Sequence, residues 1–154
     1  MNKIEKFEGK YEFLSNFYPC QINYAGHWFQ CSEALYMAHK SGKQEDFARF
    51  APLDAREAKK LGRKVSLQPG WDDMRIDVMR RVVWHKFAQN PPLEKQLMAT
   101  GEAELIEGNW WKDHFWGVCN GVGENNLGKL LMELRGELHE TYRDSEWDYH
   151  GNDD

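Results

Sequence analysis

The sequence of 154 residues lacks the cysteine and histidine patterns that hold metals or disulfide frameworks. Three cysteines (Cys20, Cys31 and Cys119) leave an odd count with no CxxC pair, and the six histidines show no HxxxH or HExxH spacing. A zinc site and a disulfide-stapled secreted fold are therefore not expected. The pattern predicts reduced thiols in a cytoplasmic protein that uses no metal and no cofactor.

The sequence also lacks an 18-residue apolar run, a signal-peptide core and a positive net charge. The first two absences exclude membrane insertion and export as expectations. The formal charge of -5 argues against a broad basic surface that wraps nucleic acid. A GxSxG nucleophile elbow and a P-loop are missing as well, which removes two common catalytic motifs.

Aromatic residues, by contrast, are abundant, at 14% with seven tryptophans. Such a composition is typical either of a large core or of walls that stack on planar ligands. The length suits one domain with a proper core. We place this domain at residues 1–138, followed by an acidic tail, 139–154, that is expected to fray.

Apolar periodicity predicts an α+β fold that is predominantly helical, with a small N-terminal antiparallel sheet. The sheet is a hairpin that turns at Ala25-Gly26, and one further short strand is expected within 104–107. Helices are predicted from Ser32, as N-cap, to about Gly42, over 44–51, from Asp54 to Leu61, over 72–89, from Pro91 to Gly101, and from Asn126 to Leu138.

The helix that begins at Ser32 places four side chains on one face, because Glu33, Tyr36, Met37 and Lys40 follow the i, i+3, i+4, i+7 rule. Two interpretations stay open. The charged residues reach past the edge of the core to water, or the face is the wall of a pocket.

Three irregular segments hold further candidates, each with two interpretations. Asn16 lies in the first segment, and Arg63 and Trp71 lie in the second. Asn16 satisfies the backbone of a turn or binds a ligand. Arg63 hydrogen-bonds the exposed carbonyl groups at a helix end or binds a phosphate. Trp71 packs onto the long helix that follows it or stacks on a base.

The third segment is the loop 109–126, which is rich in tryptophan and glycine. Asp113 lies among four aromatic residues. It is either a structural residue held by hydrogen bonds or an acid or base whose pKa is shifted by its surroundings. Two carboxylates, one amine and stacking aromatics fit cleavage of a glycosidic bond. Lys40 adds a second route, a Schiff base at the anomeric carbon of an opened sugar. The residues alone do not choose between them.

Taken together, these segments resemble the NADAR family, also called YbiA-like. The matching pieces, in order from about residue 7 to 138, are Phe13-Leu14-Ser15-Asn16-Phe17, Ser32-Glu33-x-x-Tyr36-x-x-x-Lys40, Gly62-Arg63 with Trp71, Val78-Met79 through Lys86-Phe87, Leu97-x-x-Thr100-Gly101, Leu105-Ile106-Glu107, Asp113-x-x-Trp116-Gly117 and Gly123-x-x-Asn126-x-Gly128-x-x-Leu131-Met132-x-x-Arg135. The family pattern usually has more glycine directly after Trp-Gly, whereas Val118-Cys119-Asn120 intervene here.

The resemblance implies an N-glycosidase that hydrolyses the bond between ribose and base in riboflavin-biosynthesis intermediates, the ribosylaminopyrimidine phosphates. The alternatives are removal of ADP-ribose from guanine bases and binding of ADP-ribose or a nucleotide without cleavage. The expected partner is a small ribosyl or nucleotide substrate, with nucleic acid only as an ADP-ribosylated substrate. By the same resemblance the catalytic positions are Glu33, Lys40, Trp71 and Asp113, and the substrate-binding positions are Asn16, Arg63, Trp116, Gly117, Gly123 and Asn126.

Overall fold

The computed structural model describes residues 2–151, with side chains as far as residue 143. Its α+β, mostly helical architecture confirms the predicted fold class. The helices are α1 Ser32–Ala38, α2 Glu45–Phe50, α3 Ala55–Gly62, α4 Trp71–Ala88, α5 Pro91–Ala99 and α6 Asn126–Gly151, and a 3₁₀ helix covers Gly9–Leu14. The strands are β1 Lys3–Ile4, β2 Ile22–Tyr24, β3 His27–Phe29 and β4 Glu104–Leu105.

The predicted N-terminal antiparallel sheet is the hairpin of β2 and β3, in which Ile22 pairs with Phe29. Its turn residues Ala25 and Gly26 both have positive φ, 52° and 81°, which matches the twist of a tight hairpin. The Gln89 side chain binds strand β2 through both of its amide atoms, at 2.7 and 2.9 Å from the backbone of Asn23. The end of α4 therefore holds the hairpin.

A second pairing was not expected from the sequence. The short strand anticipated within 104–107 is β4, and it pairs in parallel with β1, with Ile4 opposite Leu105. Both strands belong to one of the two compact units into which the chain divides, residues 1–5 together with 95–154. The other unit is residues 6–94.

In the unit 6–94, helix α1 packs against α2, α3 and α4, and all seven of its residues are buried. The prediction of Ser32 as its N-cap is wrong, because Cys31 holds that extended position without a side-chain cap. The Ser32 hydroxyl is used elsewhere, since it donates to Asn16 Oδ1 at 2.9 Å. The Ser32 side chain therefore bonds Asn16 instead of capping α1.

Helices α3 and α4 follow their sequence signals closely. Asp54 is the N-cap of α3, as predicted, and together with Glu57 it forms a capping box. The predicted apolar stripe of α4 is buried at Val78, Met79, Val82, Val83 and Phe87, while Met74 and Ile76 are half-buried. Lys86 is buried within the same stripe, which the apolar pattern did not anticipate.

In the unit of residues 1–5 and 95–154, α6 buries Leu127, Leu130, Leu131 and Leu134, as predicted. The helix continues past the expected end at Leu138 as far as Gly151. The domain boundary at 138 and the fraying of 139–154 remain predictions, and residues 152–154 lie outside the described part. None of the helices in the described chain is long and apolar enough to cross a bilayer.

Two glycines of α6 give opposite expectations on substitution. A Cβ at Gly128 would overlap the carbonyl oxygen of Leu105 in β4, whereas a Cβ at Gly136 would meet open space. Gly128→Ala is therefore expected to lower the free energy of unfolding by about 1–3 kcal/mol. Gly136→Ala, the matched control, is expected to raise it by roughly 0.5–1 kcal/mol, because alanine favours a helix interior. Urea unfolding of both variants checks this, and equal stability would contradict the close packing of α6 on β4.

Candidate active site

The first group of candidates lies in the unit 6–94 and begins with Glu33. This carboxylate occupies the first turn of α1 and is only 8% exposed. Its backbone N–H donates to the carbonyl of Asn16 at 3.0 Å. Tyr36 and Met37 on the same face are buried too. The interpretation in which Glu33 reaches past the core to water is therefore wrong.

Lys40 follows the end of α1, is half-buried, and its Nζ donates to the carbonyl of Gly62 at 3.1 Å. Gly62 is the last residue of α3, and a Cβ there would overlap the Met37 side chain. Glycine at this position thus lets α3 approach α1 and brings its terminal carbonyl to the lysine.

Three influences act on the charge of Lys40. Burial lowers the pKa of Lys40 below its usual value, Glu33 raises it, and Arg63 lowers it. The net direction is downward, so the neutral amine is reached at a lower pH than for a lysine in water. Glu33 and the exposed Arg63 thus both influence the charge of Lys40, and the three form one electrostatic group, while the pocket-wall interpretation of the α1 face stays a prediction.

Asn16 and Trp71 are used within the fold. The side chain of Asn16 accepts from Ser32 Oγ at 2.9 Å and lies 3.5 Å from Met79 Sδ through its Nδ2. Trp71 is 4% exposed, and its ring centroid lies 5.5 Å from that of Tyr36. These contacts fit the turn interpretation of Asn16 and the packing interpretation of Trp71, while ligand binding by either residue stays a prediction.

The second group of candidates lies in the loop of the other unit, where Asp113 organises the backbone. Its Oδ1 accepts from the N–H groups of Phe115 and Trp116 at 3.1 and 2.9 Å. Asn109 binds the main chain of Asp113 on both sides, at 3.0 Å to its N–H and 2.9 Å to its carbonyl. Within residues 2–143, Oδ2 of Asp113 accepts no hydrogen bond, so one carboxylate oxygen is fixed and the other remains available.

The other predicted binding positions of this loop are built into its packing. A Cβ at Gly117 would overlap Glu107, and one at Gly123 would overlap the carbonyl of Gly117. The amide of Asn126 donates to the carbonyl of Phe115 at 2.9 Å, and the ring of half-buried Trp116 packs edge-on against Phe115. Each of these residues therefore has a structural role, and its role toward substrate stays a prediction.

Sequence reasoning missed Asn125, which is 8% exposed and has a left-handed φ of 55°. Its side chain accepts from the N–H of Glu107 and donates to the carbonyl of Leu105, both at 2.9 Å, and so binds the loop to the end of β4. Asparagine directly before a helix is a signal for such a position, because it tolerates left-handed backbone. Lys86 was missed as well, because the apolar pattern of α4 gives no signal for the partners of a buried lysine.

Comparison with known proteins identifies the family and the fold. The E. coli protein YbiA, solved by NMR, matches with a TM-score of 0.81 at 31% identity, over 92% of this chain and 89% of that one. The N-glycosidase YbiA of E. coli K12 is 34% identical over 134 residues, which are 83% of this chain and 82% of YbiA. An N-glycosidase of Nostoc punctiforme is 34% identical over 135 residues, 83% and 86% of the two chains.

A riboflavin biosynthesis protein of Vibrio vulnificus is 44% identical over 134 residues, but this match spans only 36% of that longer protein. The class defined by these likenesses is a mostly helical α+β domain with the YbiA fold. The NADAR domain model matches residues 4–139, and the chain belongs to the NADAR domain family.

The electrostatic group predicts opposite effects of two substitutions on Lys40. Glu33→Gln is expected to lower the pKa of Lys40 further, because the Glu33 charge raises it. Arg63→Gln is expected to raise it, because the Arg63 charge lowers it. NMR titration of the Lys40 side chain in lysine-labelled protein measures both.

Arg56→Gln removes an exposed charge from the opposite end of α3 and serves as the control, with no change expected. Shifts of the same sign in the Glu33 and Arg63 variants would show that the three charges do not form one group.

Proposed function

We propose that the protein is an N-glycosidase, a hydrolase that cleaves the bond between ribose and base in ribosylaminopyrimidine phosphates of riboflavin biosynthesis. Relatives named as N-glycosidases and as a riboflavin biosynthesis protein support this activity. The observation that carries it is a buried carboxylate, Glu33, in electrostatic reach of Lys40, an amine of lowered pKa. Binding alone requires neither a buried carboxylate nor an amine of lowered pKa.

In the hydrolytic route, Glu33 takes a proton from water, and the water oxygen forms a bond to the anomeric carbon of ribose. The carbon–nitrogen bond breaks, and the departing base takes up a proton. A carboxylate beside the sugar also stabilises the positive charge that develops on the ring oxygen and carbon.

In the covalent route, the neutral amine of Lys40 attacks the anomeric carbon of the opened sugar, and the base leaves as a protonated amine. Water then hydrolyses the lysine–sugar imine, which releases ribose phosphate and restores the amine. The lowered pKa favours this route, because it increases the share of unprotonated Lys40 near neutral pH.

The remaining predicted residues take supporting roles in this proposal. Arg63 is exposed and positively charged, as a residue that binds the substrate phosphate must be. Asp113 orients the ribose or acts as the acid through its Oδ2, with Asn16, Trp116, Gly117, Gly123 and Asn126 as further binding positions and Trp71 as a wall for the base. The substrate is a small metabolite, encountered in the cytoplasm.

Turnover of two substrates tests the proposal. Wild-type protein is expected to release ribose phosphate from the 5-amino-6-ribosylaminouracil phosphate of riboflavin synthesis, and Glu33→Gln is expected to lose about 100-fold or more in kcat. Glu45→Gln, an exposed carboxylate on α2, is the control and keeps wild-type turnover. Product is measured by chromatography.

DNA carrying ADP-ribosylated guanine is the second substrate. Restoration of plain guanine there, without turnover of the metabolite, would replace the proposed substrate by ADP-ribosylated nucleic acid. Binding of ADP-ribose with no turnover of either substrate would overturn the enzyme and favour a binding module.

A further inference from the structure

Helix α4 carries a buried lysine with no part in the proposed chemistry. Lys86 is 1% exposed, and its Nζ donates to two backbone carbonyls, those of Phe13 at 2.6 Å and Ser15 at 2.9 Å. Both acceptors lie where the 3₁₀ helix Gly9–Leu14 ends and the chain turns toward Asn16. One ammonium therefore closes this turn from the inside.

Such a position is unfavourable for a lysine. Among residues 2–143 it takes part in no ion pair, so two carbonyl dipoles and nearby rings replace its hydration. Burial lowers the pKa of Lys86 to about 8, although Cys20 and Cys31 act in the opposite direction. A buried charge is weak evidence for stability, and in some proteins buried polar groups instead specify one geometry.

The turn that Lys86 closes contacts the start of α1 through hydrogen bonds of Asn16. Asn16, the next residue, accepts the Glu33 N–H on its carbonyl at 3.0 Å and the Ser32 hydroxyl on its side chain at 2.9 Å. Met79 also contacts the Asn16 amide, at 3.5 Å, and lies two turns before Lys86 on the same face of α4. Helix α4 thus holds both ends of the turn, and the turn holds the first residues of α1.

We propose that Lys86 is a positioning residue, which fixes the turn at residues 13–16 and, through Asn16, the backbone that carries Glu33. The proposal rests on the proposed function, in which Glu33 is the catalytic carboxylate. Without the ammonium, two buried carbonyls lose their donor and the turn relaxes. Glu33 then shifts relative to the substrate, and a displacement of about 1 Å is enough to cost roughly 100-fold in rate.

The test uses Lys86→Met, which keeps the length of the side chain and removes its donors. Turnover of the ribosylaminouracil phosphate is expected to fall about 10- to 100-fold in kcat with little change in KM, because positioning rather than binding is lost. Amide hydrogen exchange, followed by NMR, is expected to speed up selectively at Glu33, whose N–H depends on Asn16. Lys86→Gln keeps two N–H donors without the charge, and it is expected to recover part of both effects.

Val82→Ala is the matched control, because Val82 is 1% exposed on the same helix, one turn before Lys86, and its apolar side chain donates no hydrogen bond to the turn. It lowers overall stability and is expected to speed up exchange throughout the unit while kcat stays near wild type. If Lys86→Met gives this uniform pattern, or if Glu33 exchange and kcat are unchanged, Lys86 is only structural and the proposal is overturned. If Lys86→Met does not fold, the same two outcomes are read from Lys86→Gln.

The two hypotheses fail separately. Wild-type protein that turns over neither substrate refutes the proposed function, and hydrogen exchange at Glu33 still decides whether Lys86 positions it. Active wild-type protein with an unaffected Lys86→Met variant refutes the positioning role alone.

Discussion

The burial of helix α1 is the constraint on which the unit 6–94 depends. A helix of seven residues forms too few internal hydrogen bonds to be stable alone, so neighbouring elements must supply its stability. Helices α2, α3 and α4 and strands β2 and β3 surround it. Because its first amides are buried as well, one of them needs a carbonyl from outside the helix, and Asn16 provides it for Glu33. The hydrogen bond that satisfies this first amide of α1 also fixes the backbone that carries the Glu33 carboxylate.

In the other unit, close backbone approach takes the place of helix burial. Gly117, Gly123 and Gly128 each stand where a Cβ would overlap a neighbouring main-chain atom. Asn125 and Asp113 then use their side chains as substitutes for backbone partners, Asn125 beside β4 and Asp113 across its own turn. A long loop is ordered in this way without regular secondary structure, which explains how the described loop 109–125 holds defined positions between β4 and α6.

The sequence predicts those features that depend on local signals. The N-cap at Asp54, the turn at Ala25-Gly26 and the apolar stripe of α4 each lie within one element, and the structure confirms them. Helix α1 ends at Ala38 rather than near the predicted Gly42, so Lys40 lies beyond the helix and helical spacing alone does not place it relative to Glu33. The pairing of β1 with β4 joins two-residue strands that are far apart in sequence, so no periodicity reveals it. The burial of Lys86 was equally inaccessible, because a polar residue in an apolar stripe signals its partners only once the turn at residues 13–16 is in place.

The pKa of Lys40 depends on tertiary structure and not on residue type alone. On an isolated helix, a lysine near a glutamate has its protonated form stabilised, which works against a nucleophilic amine. Here burial, with Arg63 in the same direction, outweighs Glu33 and lowers the pKa of Lys40. The approach of α3 to α1 at Gly62 brings the Gly62 carbonyl to Lys40 Nζ. Because Arg63 directly follows the end of α3, the same approach brings its charge near Lys40.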